Sequence, residues 1–329
     1  MIKIVCMIAA LSVFVVPAKV WGETTDALRA SFVVDGRDDG SMTPGLPSLW
    51  SLTYLKEDGT AHRKFMKMHD KLMHLIVVRD DLSRFAHVHP YLNAETGTFS
   101  MTVNEGVDDP DNFAMSRVVP VPGRYFVFTE SMPMPVNDQM PMLMDRFEIF
   151  ARDSGEVASM VSEPESVDEI IITPMKPLRE QEVPAGVKYF NENGTEGQIG
   201  DLYQVDFSYV NQEYCGRWLP KFFFKVSIKS VSGTYVPVND FEKWLNMGGH
   251  SIMISSKGSE LPEKKFYHLH AFLPMAEPGR FTFPYDHHLP PLEEGVYKIW
   301  GQFKRSSQVF TFPFLFRYVT PDFPDSSKC

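Results

Sequence analysis

Apolar and polar positions alternate in short runs along most of the chain. Trp50-Ser51-Leu52-Thr53-Tyr54-Leu55 and Tyr203-Gln204-Val205-Asp206-Phe207-Ser208-Tyr209-Val210 keep a period of two, and Arg124 to Phe128 and Phe310 to Phe314 are aromatic runs of the same kind. Runs of this length, bounded by turn residues, predict strands with one face buried. No stretch keeps a long 3.6-residue period. The predicted class is therefore all-β, with sandwich domains favoured.

The order of these elements repeats. Met73-His74-Leu75-Ile76-Val77-Val78 leads through Asp80-Asp81 to Phe85-Ala86-His87-Val88-His89-Pro90. In the second half, Gly249-His250-Ser251-Ile252-Met253-Ile254-Ser255 leads through a polar loop to Phe266-Tyr267-His268-Leu269-His270. Each copy follows a turn and a Phe-bearing segment, Asp58-Gly59 with Phe65 and Ser232-Gly233 with Phe241. Each continues into a turn and an aromatic strand, Pro122-Gly123-Arg124-Tyr125 and Glu294-Gly295-Val296-Tyr297. Self-similarity on this scale implies a duplicated domain.

The 329-residue length fits two domains. Residues 1–22 read as a secretory signal, with Lys3 ahead of the apolar run Ile4 to Val16 and cleavage placed after Gly22. Residues 23–151 are assigned to the first domain, 152–186 to an acidic, Pro- and Ser-rich linker or connecting strand, 187–319 to the second domain and 320–329 to a flexible tail. Ile170-Ile171-Ile172 is a candidate first strand of the second domain. No later run is apolar enough to span a membrane, so the expected location is periplasmic or secreted.

The net charge of −10 argues against a nucleic-acid partner. Of the 3 cysteines, one lies in the signal, leaving Cys215 and Cys329 either as free thiols or as a disulfide that export would permit. Neither has zinc-site spacing, so a metal site must draw on His, Met or carboxylate.

The repeat carries that chemistry. His87 and His89 are two apart on a strand and leave the same face. A turn centred on Asp80-Asp81 sets His74 opposite His87, and a loop centred near Ser259 sets His250 opposite His268, with His89 and His270 as diagonal neighbours. Each copy then presents three converging imidazoles, a donor set for copper foremost and for zinc or nickel as weaker fits. His69 is a further donor for the first set, and His287 and His288 for the second. His62 has no partner in the pattern and reads as a solvated loop residue. Met132, Met134, Met140 and Met142 alternate with Pro in a segment that reads as an exposed loop, and thioether sulfur suits Cu(I).

His69 with Met73 to Val78, Asp81-Leu82-Ser83 and Phe85 to Pro90 resembles the exported bacterial domains described as YtkA-like or heavy-metal-binding. Trp244-Leu245, Gly249-His250, His268-x-His270 and Tyr297 to Phe303 are similar to the companion domain of those proteins. The resemblance implies two immunoglobulin- or cupredoxin-like β-sandwiches and handling of copper or another heavy metal outside the cytoplasm; the expected partners are a metal ion and another exported metal-handling protein. The second copy departs from the pattern, because Ala271 rather than Pro follows His270.

Three functions compete on these residues. The leading expectation is a non-enzymatic metal-binding protein for copper buffering, delivery or resistance. A metal-free sandwich used in adhesion or assembly is the alternative. A copper-dependent oxidoreductase stands lower, since no acid–base pair or nucleophile motif accompanies the histidines.

Overall fold

The computed structural model describes residues 28–106, 111–134, 142–152, 180–256, 266–275, 277–287, 289 and 291–321. The proposed signal, most of the linker with Ile170-Ile171-Ile172, and Met140, His288 and Cys329 lie outside the described residues. Among the described residues there is no α-helix, and no helix long and apolar enough to cross a membrane.

The first half contributes β1 (Arg29–Val34), β2 (Ser41–Met42), β3 (Ser48–Leu55), β4 (Phe65–Met66) and β5 (Met73–Arg79). It continues with β6 (Phe85–Val88), β7 (Tyr91–Asn93), β8 (Thr98–Val103), β9 (Gly123–Pro133) and β10 (Leu143–Ala151). One sheet runs β1-β3-β8-β7, and the other runs β2-β10-β9-β5-β6 with β4 paired to β9. Pairing is antiparallel except between β2 and β10. Trp50 and Val103 from one sheet pack against Leu75, Val77, Tyr125, Val127 and Ile149 from the other. These are the alternate, inward positions that the period-two pattern marks.

The second half contributes β11 (Glu182–Phe190), β12 (Tyr203–Tyr214), β13 (Arg217–Lys229), β14 (Tyr235–Pro237) and β15 (Gly249–Ser255). It ends with β16 (Phe266–Ala271), β17 (Arg280–Pro284), β18 (Gly295–Arg305) and β19 (Gln308–Tyr318). The sheets run β11-β12-β13-β14, with β17 on β13, and β16-β15-β18-β19. Phe207, Phe222 and Phe224 meet Phe303, Phe314 and Phe316 in the core between them. β11 opens at Glu182, ahead of residue 187, because it pairs with β12 as the edge of this sheet.

The two halves are equivalent strand by strand around the repeat. In each, a strand (β5 or β15) is flanked by its hairpin partner (β6 or β16) and by the aromatic strand (β9 or β18). The turns leading in are also alike. Gly59 and Gly233 both close tight turns at positive φ, 78° and 85°, where glycine carries no Cβ penalty.

β5 and β15 are buried on both faces over most of their length. The inner face fills each sandwich. The outer faces meet each other: Ile76, Val78, Phe126 and Phe128 of the first half form one apolar cluster with Ile252, Ile254 and Trp300 of the second. Phe85 stacks on Trp300 at 4.8 Å and Phe128 on Phe266 at 5.0 Å. The duplicated sheets therefore pack face to face, and the histidine-bearing end of each lies at this junction.

Candidate metal centre

Within each hairpin the register differs from the expected one by two residues. Ile76, not His74, is the partner of His87, and His250 pairs with His270 rather than His268. In the first hairpin, Asp81 accepts from the backbone and hydroxyl of Ser83 while Leu82 turns at φ 62°, so the turn sits one residue further along than Asp80-Asp81. A slip of two preserves the side-chain face, so the three imidazoles of each hairpin still leave one side. The diagonal neighbour has merely exchanged with the direct one.

His69, His74, His87, His89, His250, His268 and His270 come together in a single cluster across the junction. His74 lies 5.0 Å ring to ring from His268, His87 lies 5.8 Å from His250, and His69 lies 3.8 Å from His270. His74, His87 and His250 are 0% exposed, and His89 is 4% exposed. The two separate faces expected from the repeat are one shared site.

The hydrogen bonds around the first three imidazoles fix their tautomers. His74 Nε2 lies 3.0 Å from the Met68 carbonyl, which can only accept. His87 Nδ1 lies 2.9 Å from Gln302 Oε1, whose amide nitrogen donates to Thr311. His89 Nδ1 lies 3.1 Å from Asn112 Oδ1, which also accepts from the His89 backbone N–H. Each outer nitrogen must therefore carry the proton, and in a neutral ring the inner nitrogen is then a bare lone pair. Those inner atoms face one another: His74 Nδ1 is 3.1 Å from His87 Nε2 and 3.1 Å from His89 Nε2. Lone pairs at these two spacings repel unless a cation sits between them. Tetrahedral coordination at metal–nitrogen distances near 2.0–2.1 Å places donor atoms about 3.3 Å apart.

The opposite half supplies the counterpart. His268 Nδ1 donates to Glu130 Oε2 at 2.6 Å, which leaves His268 Nε2 unpartnered. Donor atoms of His74, His87 and His268 lie within 4.8 Å of one another, as do those of His250, His268 and His270. Both ring nitrogens of His250 and Nε2 of His270 are buried without a hydrogen-bond partner. Each such orphan costs about 1–3 kcal/mol unless something satisfies it.

Glu130 and Gln302 hold equivalent positions. Glu130 lies opposite His74 across β9, and Gln302 lies opposite His250 across β18. Each reaches over the junction to orient a histidine of the other half. Trp244, at 4.8 Å from His250 and 5.4 Å from His87, closes the apolar wall.

Burial keeps the cluster neutral. Desolvation, reinforced by neighbouring imidazoles, pushes His74 and His87 down to about 3. The same causes hold His89, His250 and His270 well below the usual histidine range. His268 is also well below it, through burial and the nearby His74 and His69. Desolvation raises Glu130, with His74 and His69 acting against that rise. The site is thus a set of neutral nitrogen donors beside one carboxylate.

His69 enters through a turn. His69 and Asp70 have positive φ of 46° and 66°, and the equivalent Leu245 and Asn246 have 52° and 62°. Both turns are closed by the same pair of backbone bonds, Met68 with Lys71 and Trp244 with Met247. The geometry is duplicated, but only the first half places an imidazole on it.

His287 falls elsewhere. β17 belongs to the sheet opposite β16, so the loop after it carries His287 away from the cluster. His287 packs on Tyr214 and lies 3.5 Å from Asp286, and its carbonyl accepts from Arg217. Met132 is a strand residue of β9 paired with Met66, rather than part of an exposed loop. Met134 and Met142 are exposed. His62 is buried rather than solvated, bonded to the Lys64 carbonyl and set edge-on to Phe65. Cys215 is disulfide-bonded.

The histidine pattern marks no role for Glu130 or Asn112, and Trp244 and Gln302 stand in the segments that carry the resemblance without an assigned part. A signal existed for two of them. Glu130 and Gln302 interrupt the apolar face of equivalent strands at the same place, Phe126-Val127-Phe128-Thr129-Glu130 and Lys298-Ile299-Trp300-Gly301-Gln302.

The model of a family described as a domain of unknown function, DUF8832, matches residues 33–142 and 223–319. Together these cover more than half of the chain and both copies of the histidine-bearing hairpin, and the chain belongs to this family. No curated protein matches it.

Proposed function

We propose that this DUF8832 protein is an exported metal-binding protein whose ion sits among the buried histidines between its two halves. The observation that carries the reading is the set of three bare imidazole lone pairs on His74, His87 and His89, held in place by acceptors on their outer nitrogens. Acceptors behind histidine ligands fix the ring and raise its basicity, and they are a regular accompaniment of bound metal. His268 Nε2 is the next donor, offered from the opposite half.

Neutral imidazole nitrogen suits Cu(II), Zn(II) and Ni(II), and affinity for a given site rises to copper in that series. Copper is therefore the first choice and zinc or nickel the second. The donors seen together are imidazole nitrogens, which suit Cu(II). Donors buried to this degree suit holding an ion, as in buffering or resistance, better than rapid transfer to a partner. A metal-free adhesive sandwich would leave the orphaned nitrogens of His250, His268 and His270 uncompensated.

The test is metal content after purification, followed by titration of the metal-depleted chain with Cu(II), Zn(II) and Ni(II). Tight binding that a His74→Ala/His87→Ala/His89→Ala variant loses supports the reading. Equal binding by parent and variant contradicts it.

A further inference from the structure

We propose that the centre takes two metal ions, one on His74, His87 and His89 and one on His250, His268 and His270. This rests on the metal-binding reading above and extends it to the second half. The two triads are equivalent by position: His74 and His250 on the central strands, His87 and His268 on the hairpin partners, and His89 and His270 two residues after them, His89 just past the end of β6. Donor atoms of His250, His268 and His270 lie within 4.8 Å of one another.

Independent support comes from unpartnered atoms. His250, 0% exposed, has no hydrogen-bond partner on either ring nitrogen, and Nε2 of His268 and of His270 is likewise orphaned in the interior. One ion on the first triad leaves His250 and His270 unsatisfied; a second ion takes one ring nitrogen of each. His268 then serves its own triad, with Nδ1–H tied to Glu130 and Nε2 turned to the ion. His69 stands over this second triad, 5.9 Å ring to ring from His250. It offers a fourth imidazole that the first half lends to the second, as His268 stands near the first.

The triads adjoin, with His74 and His250 6.2 Å apart ring to ring, so two ions would sense each other. The experiment titrates the full metal-depleted chain with Cu(II), following metal content and electron paramagnetic resonance together. The expected result is two ions per chain. The first equivalent gives an isolated Cu(II) signal, and the second broadens or diminishes it through coupling. A His250→Ala/His270→Ala variant keeps one ion with an uncoupled signal. If that variant does not fold by circular dichroism, His250→Asn/His270→Asn replaces it.

One ion per chain in the parent overturns the two-ion centre and leaves metal binding standing. No ion overturns both. Two ions with independent signals, unaffected by the second-half variants, place the second ion elsewhere and overturn this inference.

Discussion

The two histidine triads descend from the same strands and turns yet are prepared to different degrees. His74, His87 and His89 each have an acceptor behind the ring, supplied by Met68, Gln302 and Asn112. Among the described residues, His268 of the second triad has one, the Glu130 carboxylate, and His250 has none. Equal backbones therefore carry unequal sites. On the proposed metal-binding reading, the first is pre-organised for an ion, whereas the second would gain most of its order from binding one. The difference lies in residues around the histidines, at Asn112 and at the paired positions of Glu130 and Gln302 and of His69 and Leu245.

The comparison depends first on the halves being docked. Trp300 is buried in the apolar cluster at the junction and stacks on Phe85 of the first half. Trp300→Ala is expected to lower stability by about 3–5 kcal/mol in denaturant unfolding. It should also weaken metal binding by both triads, since each uses a partner from across the junction. Full metal affinity in that variant would mean that each half binds alone.

Acid should act next, and on the metal-free chain. His74 and His87 fold with pKa values near 3, against 6.5 for the ordinary side chain. Between those values the unfolded chain binds more protons, so stability falls as pH drops below about 6.5. Each residue contributes about 1.4 kcal/mol per pH unit in that window, and nothing above it. Thermal unfolding followed from pH 8 to 4 should be flat at first and then fall steeply. A flat profile throughout would show these imidazoles to be solvated.

The two supporting residues separate the triads. Gln302→Leu removes the acceptor behind His87 and should weaken the first ion about 10–100-fold in titration calorimetry. Glu130→Gln keeps an acceptor oxygen for His268 and should weaken the second ion less. The reverse order would mean that the pre-organised triad is the wrong one. The smallest effect is expected from His69→Leu, which copies the second half's Leu245. It should leave the first ion's dissociation constant unchanged and loosen only the second ion.

Much of this was legible in the chain itself. Strand period, the turns at Gly59 and Gly233, and the repeated His…His-x-His order fix the sandwich class and the face on which each triad lies. The register was not legible to better than two residues, because hydrophobic alternation repeats every two and cannot tell such positions apart. The joining of the two faces was also missed, although its sign was present. β5 and β15 carry apolar residues beside their histidines on the outer face and are buried on both faces. Ile76 and Val78, like Ile252 and Ile254, needed a cover, and the other half is that cover. Met132 departs from the exposed-loop reading because it pairs with Met66 in β9, whereas Met134 and Met142 are exposed as expected. Composition suggests a ligand, but strand pairing decides what Met132 can reach.

The most direct measurement is a crystal structure of the copper-loaded chain with anomalous scattering recorded at the copper edge. A strong peak is expected among His74 Nδ1, His87 Nε2 and His89 Nε2, on the side facing His268. A peak held instead by the methionines or His287, or no peak at the junction in a chain shown to carry copper, would contradict the proposed centre.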